Sequence, residues 1–86
     1  MRYVITEYVE KAMKEAIYDK LEDGTFAGRI PDCIGVVSFG RTLAECEREL
    51  RSALEDWILL GLQMGHNLPV IDEINLNRID TKVETR

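Results

Sequence analysis

The fold of this chain is best predicted from residues 42–65, which read TLAECERELRSALEDWILLGLQMG. Thr42 and Glu45 have the spacing of a capping box, in which two side chains satisfy free amides at the start of a helix. Apolar residues follow at alternating steps of three and four, as on a helix face that packs on a core. Gly65 stands where a left-handed residue commonly ends a helix. The predicted core positions of this helix are Leu43, Cys46, Leu50, Ala53, Leu54, Trp57 and Ile58, and the same stripe continues through Leu60 and Met64.

Upstream of this helix, the sequence predicts a shorter helix and three strands. Apolar residues at steps of three and four indicate a helix over about residues 5–15, and the period then changes to that of a strand over 16–22. Asp23-Gly24 is a strong signal for a two-residue hairpin with a type I′ turn, which needs positive φ at both residues. The returning strand covers residues 25–30, and a third short strand covers residues 36–40.

The order α-β-β-β-α predicts a two-layer α+β domain. Strands joined by hairpins pair antiparallel, and two helices with one apolar face each would cover one side of a three-stranded sheet. Gly28, in the middle of the second strand, leaves room for a helix to lie across the sheet. The other face of the sheet would remain open, and small sheets with free edges are usually covered or paired. We therefore expect a homo-oligomer, a dimer or a tetramer, or a bound partner chain.

The C-terminal part of the chain is expected to add one extended piece. After Pro69, the alternation of Ile74 and Leu76 with polar residues predicts a short strand or an extended arm within residues 70–79. This piece could belong to the chain's own sheet or be exchanged with a neighbour. The chain is thus expected to form one domain over residues 1–79, followed by a flexible charged tail over residues 80–86.

The charge balance bears on the class of partner. The 86 residues carry 16 Asp and Glu against 11 Lys and Arg, for a net charge of −5. Because nucleic-acid affinity comes largely from basic side chains that neutralise phosphates, this balance argues against a general DNA or RNA binder. It suits a basic protein partner, although mild acidity also keeps small proteins soluble. The sequence has neither an apolar run long enough for a membrane span nor an apolar signal core, so we expect a cytoplasmic protein.

Cysteine and histidine offer little chemistry here. Cys33 and Cys46 form no CxxC motif and lie far from His66, the one histidine, so we expect no metal site and no cofactor. Cys46 lies on the apolar helix stripe, where cysteine acts as a small hydrophobe. His66 follows the predicted helix end and is expected to be a solvated loop residue.

The aspartates favour structural roles over catalytic ones. Asp23 in a turn and Asp32 after a proline occupy common structural positions of this residue. Asp19, Asp23 and Asp32 could converge on Mg²⁺, as in a nuclease, but their spacing does not require it. The sequence also contains no nucleophile motif and no phosphate-binding motif. We therefore expect no enzyme activity, and a degenerate Mg-dependent, RNase H-like nuclease is the least favoured alternative.

Two segments resemble a known family. Residues 23–36 read DGTFAGRIPDCIGV, and residues 40–46 read GRTLAEC. The first segment resembles one found in the HicB-like antitoxin family. In that family a DG pair is followed by an aromatic residue, then by IPD and then by G-V. The second resembles the G-x-T motif that opens a helix in that family, and Leu68-Pro69 after the helix also matches. The positions that carry the resemblance are Asp23, Gly24, Phe26, Ile30, Pro31, Asp32, Gly35, Gly40, Thr42 and Glu45.

The resemblance implies both a fold and a function. The implied fold is of the double-stranded-RNA-binding-domain type, also described as a partial RNase H fold. The implied function is that of a non-catalytic antitoxin, which binds and occludes a small basic, mRNA-cleaving toxin of the HicA type without touching nucleic acid itself. The likeness is to short, stand-alone members that lack a C-terminal DNA-binding domain. An orphan oligomeric scaffold or regulatory domain with no toxin partner stays open as the alternative.

Overall fold

A computed structural model describes residues 2–78. Its elements are helix α1 (Arg2–Lys14), strands β1 (Ile17–Lys20), β2 (Phe26–Arg29) and β3 (Val37–Gly40), helix α2 (Leu43–Met64) and a 3₁₀ turn (Leu76–Arg78). This order confirms the predicted α+β fold of two helices and a three-stranded antiparallel sheet. None of the helices within residues 2–78 has both the length and the apolar character needed to cross a bilayer.

The sheet has the order β1-β2-β3, and both strand pairs are antiparallel. Tyr18 lies opposite Gly28, which lies opposite Ser38, so these residues share one face of the sheet. Helix α2 covers this face. A methyl group added at Gly28 would lie 2.9 Å from the Tyr18 ring and 3.2 Å from Cys46 Sγ. The prediction that Gly28 leaves room for a helix across the sheet is therefore confirmed.

The hairpin between β1 and β2 is not the predicted type I′ turn. The Leu21 amide donates to the Thr25 carbonyl at 2.7 Å, and the Leu21 carbonyl accepts from the Gly24 amide at 2.9 Å. These bonds close a three-residue loop in which Gly24 alone has positive φ, at +90°. A type I turn followed by a left-handed glycine has this pattern. The extra loop residue sets the register that places Tyr18 opposite Gly28 on the α2 side, because a shift of one residue would exchange the two faces.

Both ends of α2 are capped. The Glu45 amide donates to Thr42 Oγ1 at 3.0 Å, as the capping box predicts. The Glu45 carboxylate accepts from the Arg41 amide at 2.8 Å, one residue before the amide expected for a standard box. At the other end, Gly65 has φ +73° and ψ 21°, so the predicted left-handed helix stop is confirmed.

The core face of α2 follows a row at steps of four. The predicted core residues that are fully buried are Cys46, Leu50, Leu54 and Ile58. Trp57 and Ala53 are partly buried and pack at the margin of the core. Leu43 is 48% exposed, so its assignment to the core was wrong.

The continuation of the predicted stripe also leaves the core. Leu60 and Met64 are more than half exposed. Leu54 and Ile58 belong to the same core cluster as buried side chains of α1 and of residues 68–76. The predicted stripe therefore lies within the buried face at Cys46 and Leu50 and leaves it toward the C-terminal end of α2.

Residues 68–76 close the core, and of the strand or extended arm expected within residues 70–79, no strand joins the sheet as far as residue 78. Leu68, Ile71 and Leu76 are buried in the main core cluster. A single antiparallel bridge joins Ile71 to Ile74 across the turn at residues 72–73, and both turn residues have positive φ. The expectation for residue 79 and for the tail over residues 80–86 lies outside the described residues.

Three residue pairs make the polar contacts that hold this segment in place. The Tyr8 hydroxyl donates to the Pro69 carbonyl at 2.7 Å. The Asn77 side-chain amide accepts from the Leu68 amide at 2.7 Å and donates to the Leu68 carbonyl at 2.8 Å. The Lys11 ammonium lies 3.2 Å from the Asp72 carboxylate. The segment is therefore held by polar contacts both to α1 and to itself.

Candidate protein-binding surface

One face of the sheet carries apolar side chains that the described residues leave exposed. The pairing register places Ile17, Arg29 and Val37 in one row across the three strands of this open face. The next row is Asp19, Ala27 and Phe39. Val37 is 53% exposed and Phe39 is 63% exposed, although both belong to a strand that packs against α2 on its other side. Large apolar side chains on such a surface commonly mark a site of interaction.

Strand β3 also lies at the edge of the sheet. Within residues 2–78 it pairs with β2 alone, so its outer backbone amides and carbonyls have no neighbouring strand. An edge of this kind can template pairing with another chain. On the face that α2 covers, a hydrogen bond attaches the strand to the helix. The buried Ser38 hydroxyl donates to the Cys46 carbonyl of α2 at 2.9 Å.

A groove runs between the β3 edge and α2. Its lining consists of Val37, Ser38, Phe39, Glu49, Ser52, Ala53 and Asp56. Glu49 and Asp56 are exposed, and both direct negative charge to the same side of the helix as the β3 edge. The groove therefore combines an unpaired backbone edge with two carboxylates, and the same strand exposes two apolar side chains on the open face of the sheet. It can recognise an extended segment with positive charge and apolar side chains.

The sequence indicates some of the residues of this surface, but not that they lie beside each other in the fold. Glu49, Ser52 and Asp56 follow steps of three and four, which indicates that they share one side of a helix. On spacing alone, such acids are expected to form an ordinary solvated helix face. The edge position of β3, and its place beside these acids, depend on long-range packing that local spacing does not reveal.

The family-signature positions have structural roles. The Asp23 carboxylate accepts from the Thr25 amide at 3.0 Å and from the Thr25 hydroxyl at 2.6 Å. These bonds hold the pKa of the Asp23 carboxyl below its usual value. A methyl group at Gly40 would lie 2.5 Å from the backbone nitrogen of Cys46, so the turn into α2 needs glycine there.

Four further signature positions, Ile30, Pro31, Asp32 and Gly35, lie in the loop between β2 and β3, whereas Phe26 is the first residue of β2. Ile30 is buried in the core, and Phe26 is partly buried. Pro31 and Asp32 are exposed, and Gly35 has φ +100°. The four loop positions therefore support the turn that brings the chain from β2 to β3.

The two cysteines are free and buried. Burial raises the pKa of the Cys33 thiol to about 11, and the neighbouring Asp32 carboxylate acts in the same direction. Tyr8 packs in the same cluster, and burial raises the pKa of its hydroxyl well above the usual value. A neutral thiol is a poor nucleophile, so Cys33 has the environment of a core residue.

The aspartates considered for Mg²⁺ are placed separately. Asp19 lies on the open face of the sheet, Asp23 in the hairpin loop and Asp32 in the loop after β2. Across residues 2–78, no three His, Cys, Asp or Glu side chains form a group that could hold a metal ion.

A second surface lies at the C-terminal end of α2. Trp57, Leu60 and Leu68 line a shallow groove there with the exposed His66. Residues 57–71 contain no Lys, Arg, Asp or Glu. Leu59, Leu60 and Met64 are 58%, 55% and 59% exposed. One end of α2 is therefore apolar and uncharged, whereas the part beside β3 is acidic.

Comparison with known proteins supports the architecture. The model of the UPF0150-like family matches residues 7–69. The crystal structure of TTHA0281 from Thermus thermophilus is similar, with a TM-score of 0.79 and 40% sequence identity, over 85% of this chain and 91% of that one. No curated protein matches the chain.

Proposed function

This chain belongs to the UPF0150-like family, and on that premise we propose that it is a non-catalytic, HicB-like antitoxin domain that binds and occludes a small basic toxin. The observation that carries the proposal is the groove beside β3. It offers an unpaired strand edge and the carboxylates of Glu49 and Asp56, and the same strand exposes the apolar Val37 and Phe39 on the open face of the sheet. These are features of a surface that binds a protein, and their charge is complementary to a basic one.

The mechanism is occlusion. A toxin that cleaves mRNA needs a positively charged surface to hold the phosphates of its substrate. A chain with net charge −5 attracts that surface at long range and then competes with RNA for the same basic side chains. Inhibition requires no chemistry by this chain, because the bound toxin has no room for its substrate.

We also propose that the protein is a cytoplasmic homo-oligomer. The two thiols are free and buried, as is usual for a protein of a reducing compartment. The exposed Leu60 and Met64, four residues apart, share one side of α2 within residues 57–71, which contain no Lys, Arg, Asp or Glu. Such an area favours contact with an identical surface, since no like charges oppose each other across a twofold axis.

The test of the proposed function is suppression of toxicity. A reading frame adjacent to this gene, encoding a basic protein of about 60–80 residues with one central histidine, is expressed alone and together with this chain. We expect the neighbour alone to arrest growth and co-expression to restore it, with a stable complex recovered on purification. Continued growth arrest in the presence of folded, well-expressed chain would remove the antitoxin role and favour the orphan scaffold.

A further inference from the structure

We propose that β3 binds an extended basic segment of the protein partner as a fourth strand of the sheet. This inference rests on the proposed function and specifies the contact through which it is exerted. At the β3 edge, a strand unpaired within the described residues and an acidic side of α2 lie together, and the same strand exposes two apolar side chains on the open face. Addition of a strand to a free sheet edge is an established mode of peptide recognition.

The geometry determines which side chains the added strand must carry. Successive side chains of a strand point to opposite faces of the sheet. On the α2 side, alternate residues of the added strand would lie against Glu49, Ser52 and Asp56, so basic residues fit there. On the open face, the intervening residues would lie beside Val37 and Phe39, so apolar residues fit there. The expected segment therefore alternates Lys or Arg with apolar or β-branched residues.

Charge also decides between the partner and a second copy of this chain. Antiparallel pairing of β3 with its own copy would bring α2 beside the partner's α2 along the same groove. Glu49 and Asp56 would then approach a second pair of carboxylates, and like charges in such a position oppose association. A basic segment gains attraction from the same two residues. The acidic groove thus favours the basic partner over self-pairing.

The probe for the experiment is an acetylated, amidated peptide of sequence Thr-Lys-Val-Lys-Val-Lys-Thr. Its binding to the full chain is followed by the anisotropy of a fluorescent label, and by hydrogen exchange of the β3 amides. We expect protection of amides within Val37–Gly40 and an affinity that falls as salt increases. The double substitution Glu49→Lys and Asp56→Lys should weaken binding by about tenfold or more. Glu55→Lys, an exposed acid that does not line the groove, is the matched control and should leave affinity within about twofold, allowing for the screened change in net charge.

Backbone pairing is separated from simple charge attraction by N-methylation. Two versions of the peptide carry methyl groups on alternate amides, at odd or at even positions. A strand presents alternate amides to each of its two edges, so one version should lose binding and the other should keep it. Equal binding of both versions, or protection elsewhere than β3, would overturn the proposal. Protection of β3 that rises with the chain's own concentration, without peptide, would assign the edge to a second copy and overturn it as well.

The growth experiment keeps the two proposals distinguishable. If the unmodified chain rescues growth and the Glu49→Lys, Asp56→Lys chain rescues equally well, the β3 contact is wrong while the antitoxin function stands. If the unmodified chain fails to rescue although the peptide binds β3 as expected, the antitoxin function is wrong. Thermal unfolding of the double variant, compared with Glu55→Lys, verifies that a loss of rescue reflects binding and not folding.

Discussion

At the scale of single residues, the sequence motif of this family acts through backbone geometry. Gly40 lets the end of β3 approach the first turn of α2, and Thr42 caps that turn. Gly24 has the positive φ that closes the β1–β2 loop. Because Gly40 and Thr42 fix where β3 ends and α2 begins, they also fix the groove between the two.

Gly40→Ala is expected to destabilise the protein by about 1–3 kcal/mol, as for overpacking of a well-filled site. The added methyl would meet backbone atoms of Cys46, which cannot move without displacing α2. The control is Gly61→Ala, whose methyl would meet only the end of the flexible Leu68 side chain and which improves helix propensity. Chemical denaturation should give a clearly larger loss for Gly40→Ala. Equal losses would contradict the tight backbone contact.

Gly24→Val is expected to destabilise the chain through backbone strain alone. A side chain at this position meets no atom within 4 Å, but a β-branched residue is strongly disfavoured at φ +90°. Gly24→Asn is the matched control, since asparagine tolerates positive φ better than valine does. The melting temperature should be highest for the wild type, lower for Gly24→Asn and lowest for Gly24→Val. A melt of Gly24→Val like that of the wild type would mean that the loop has another conformation.

The buried Cys33 thiol should make stability depend on alkaline pH. Its pKa is raised from 9.0 to about 11 in the folded state, so the folded chain retains a proton that the unfolded chain loses. The stabilisation that the buried, protonated thiol contributes to the folded state is complete below pH 9, and it is lost as pH rises through about 11. Urea denaturation at a series of alkaline pH values across this window should show a falling free energy of unfolding, with a smaller slope in Cys33→Ala. The same slope in both proteins would contradict this assignment.

At the scale of elements, α2 has two different sides. Its core side follows Leu50, Leu54 and Ile58, and its groove side carries Glu49 and Asp56. The predicted stripe coincides with the core side at Leu50 but diverges from it toward the C-terminal end of α2, which is why Trp57 is only partly buried.

Leu54→Ala should therefore cost more stability than Trp57→Ala, contrary to the ranking expected from residue size. Leu54 has no exposed surface, and its truncation is expected to cost about 2–5 kcal/mol. Trp57 lines an open groove, so its truncation leaves less enclosed cavity and should cost less than the roughly 3–5 kcal/mol typical of a buried tryptophan. Denaturant titration of both variants gives the order directly. A larger loss in Trp57→Ala would place the centre of the core at the predicted stripe.

At the scale of the whole molecule, charge is distributed unevenly along α2. The part beside β3 is acidic, and residues 57–71 carry no Lys, Arg, Asp or Glu. We assign the first surface to a basic partner and the second to self-association. The two activities can then be altered separately.

The protein should form a dimer or tetramer at micromolar concentration, and Leu60→Glu should shift it toward the monomer. The substitution places charge within the uncharged, exposed area, where an identical surface would bring a second glutamate close. Leu43→Glu is the matched control, because Leu43 is comparably exposed at the opposite end of α2. Light scattering with size exclusion measures the mass. A monomeric wild type would contradict the oligomer proposal, and equal shifts in both variants would contradict the location of the contact.

Local patterns in the sequence were enough to predict the element order, the start and stop of α2 and the close packing at Gly28. Helix caps and helix stops depend on residues that are neighbours along the chain, so they can be recognised from the sequence. A glycine where a helix crosses a strand can also be recognised, because it has no side chain. Three features could be determined only from the tertiary structure. They are the register of the β1–β2 hairpin, the row of α2 residues that is buried in the core, and the turn within residues 68–76. Each depends on which distant apolar side chains pack together, and several arrangements agree equally well with the same local spacing. The groove belongs to this second group, because β3 becomes an acid-lined edge only once the sheet and α2 have packed against each other.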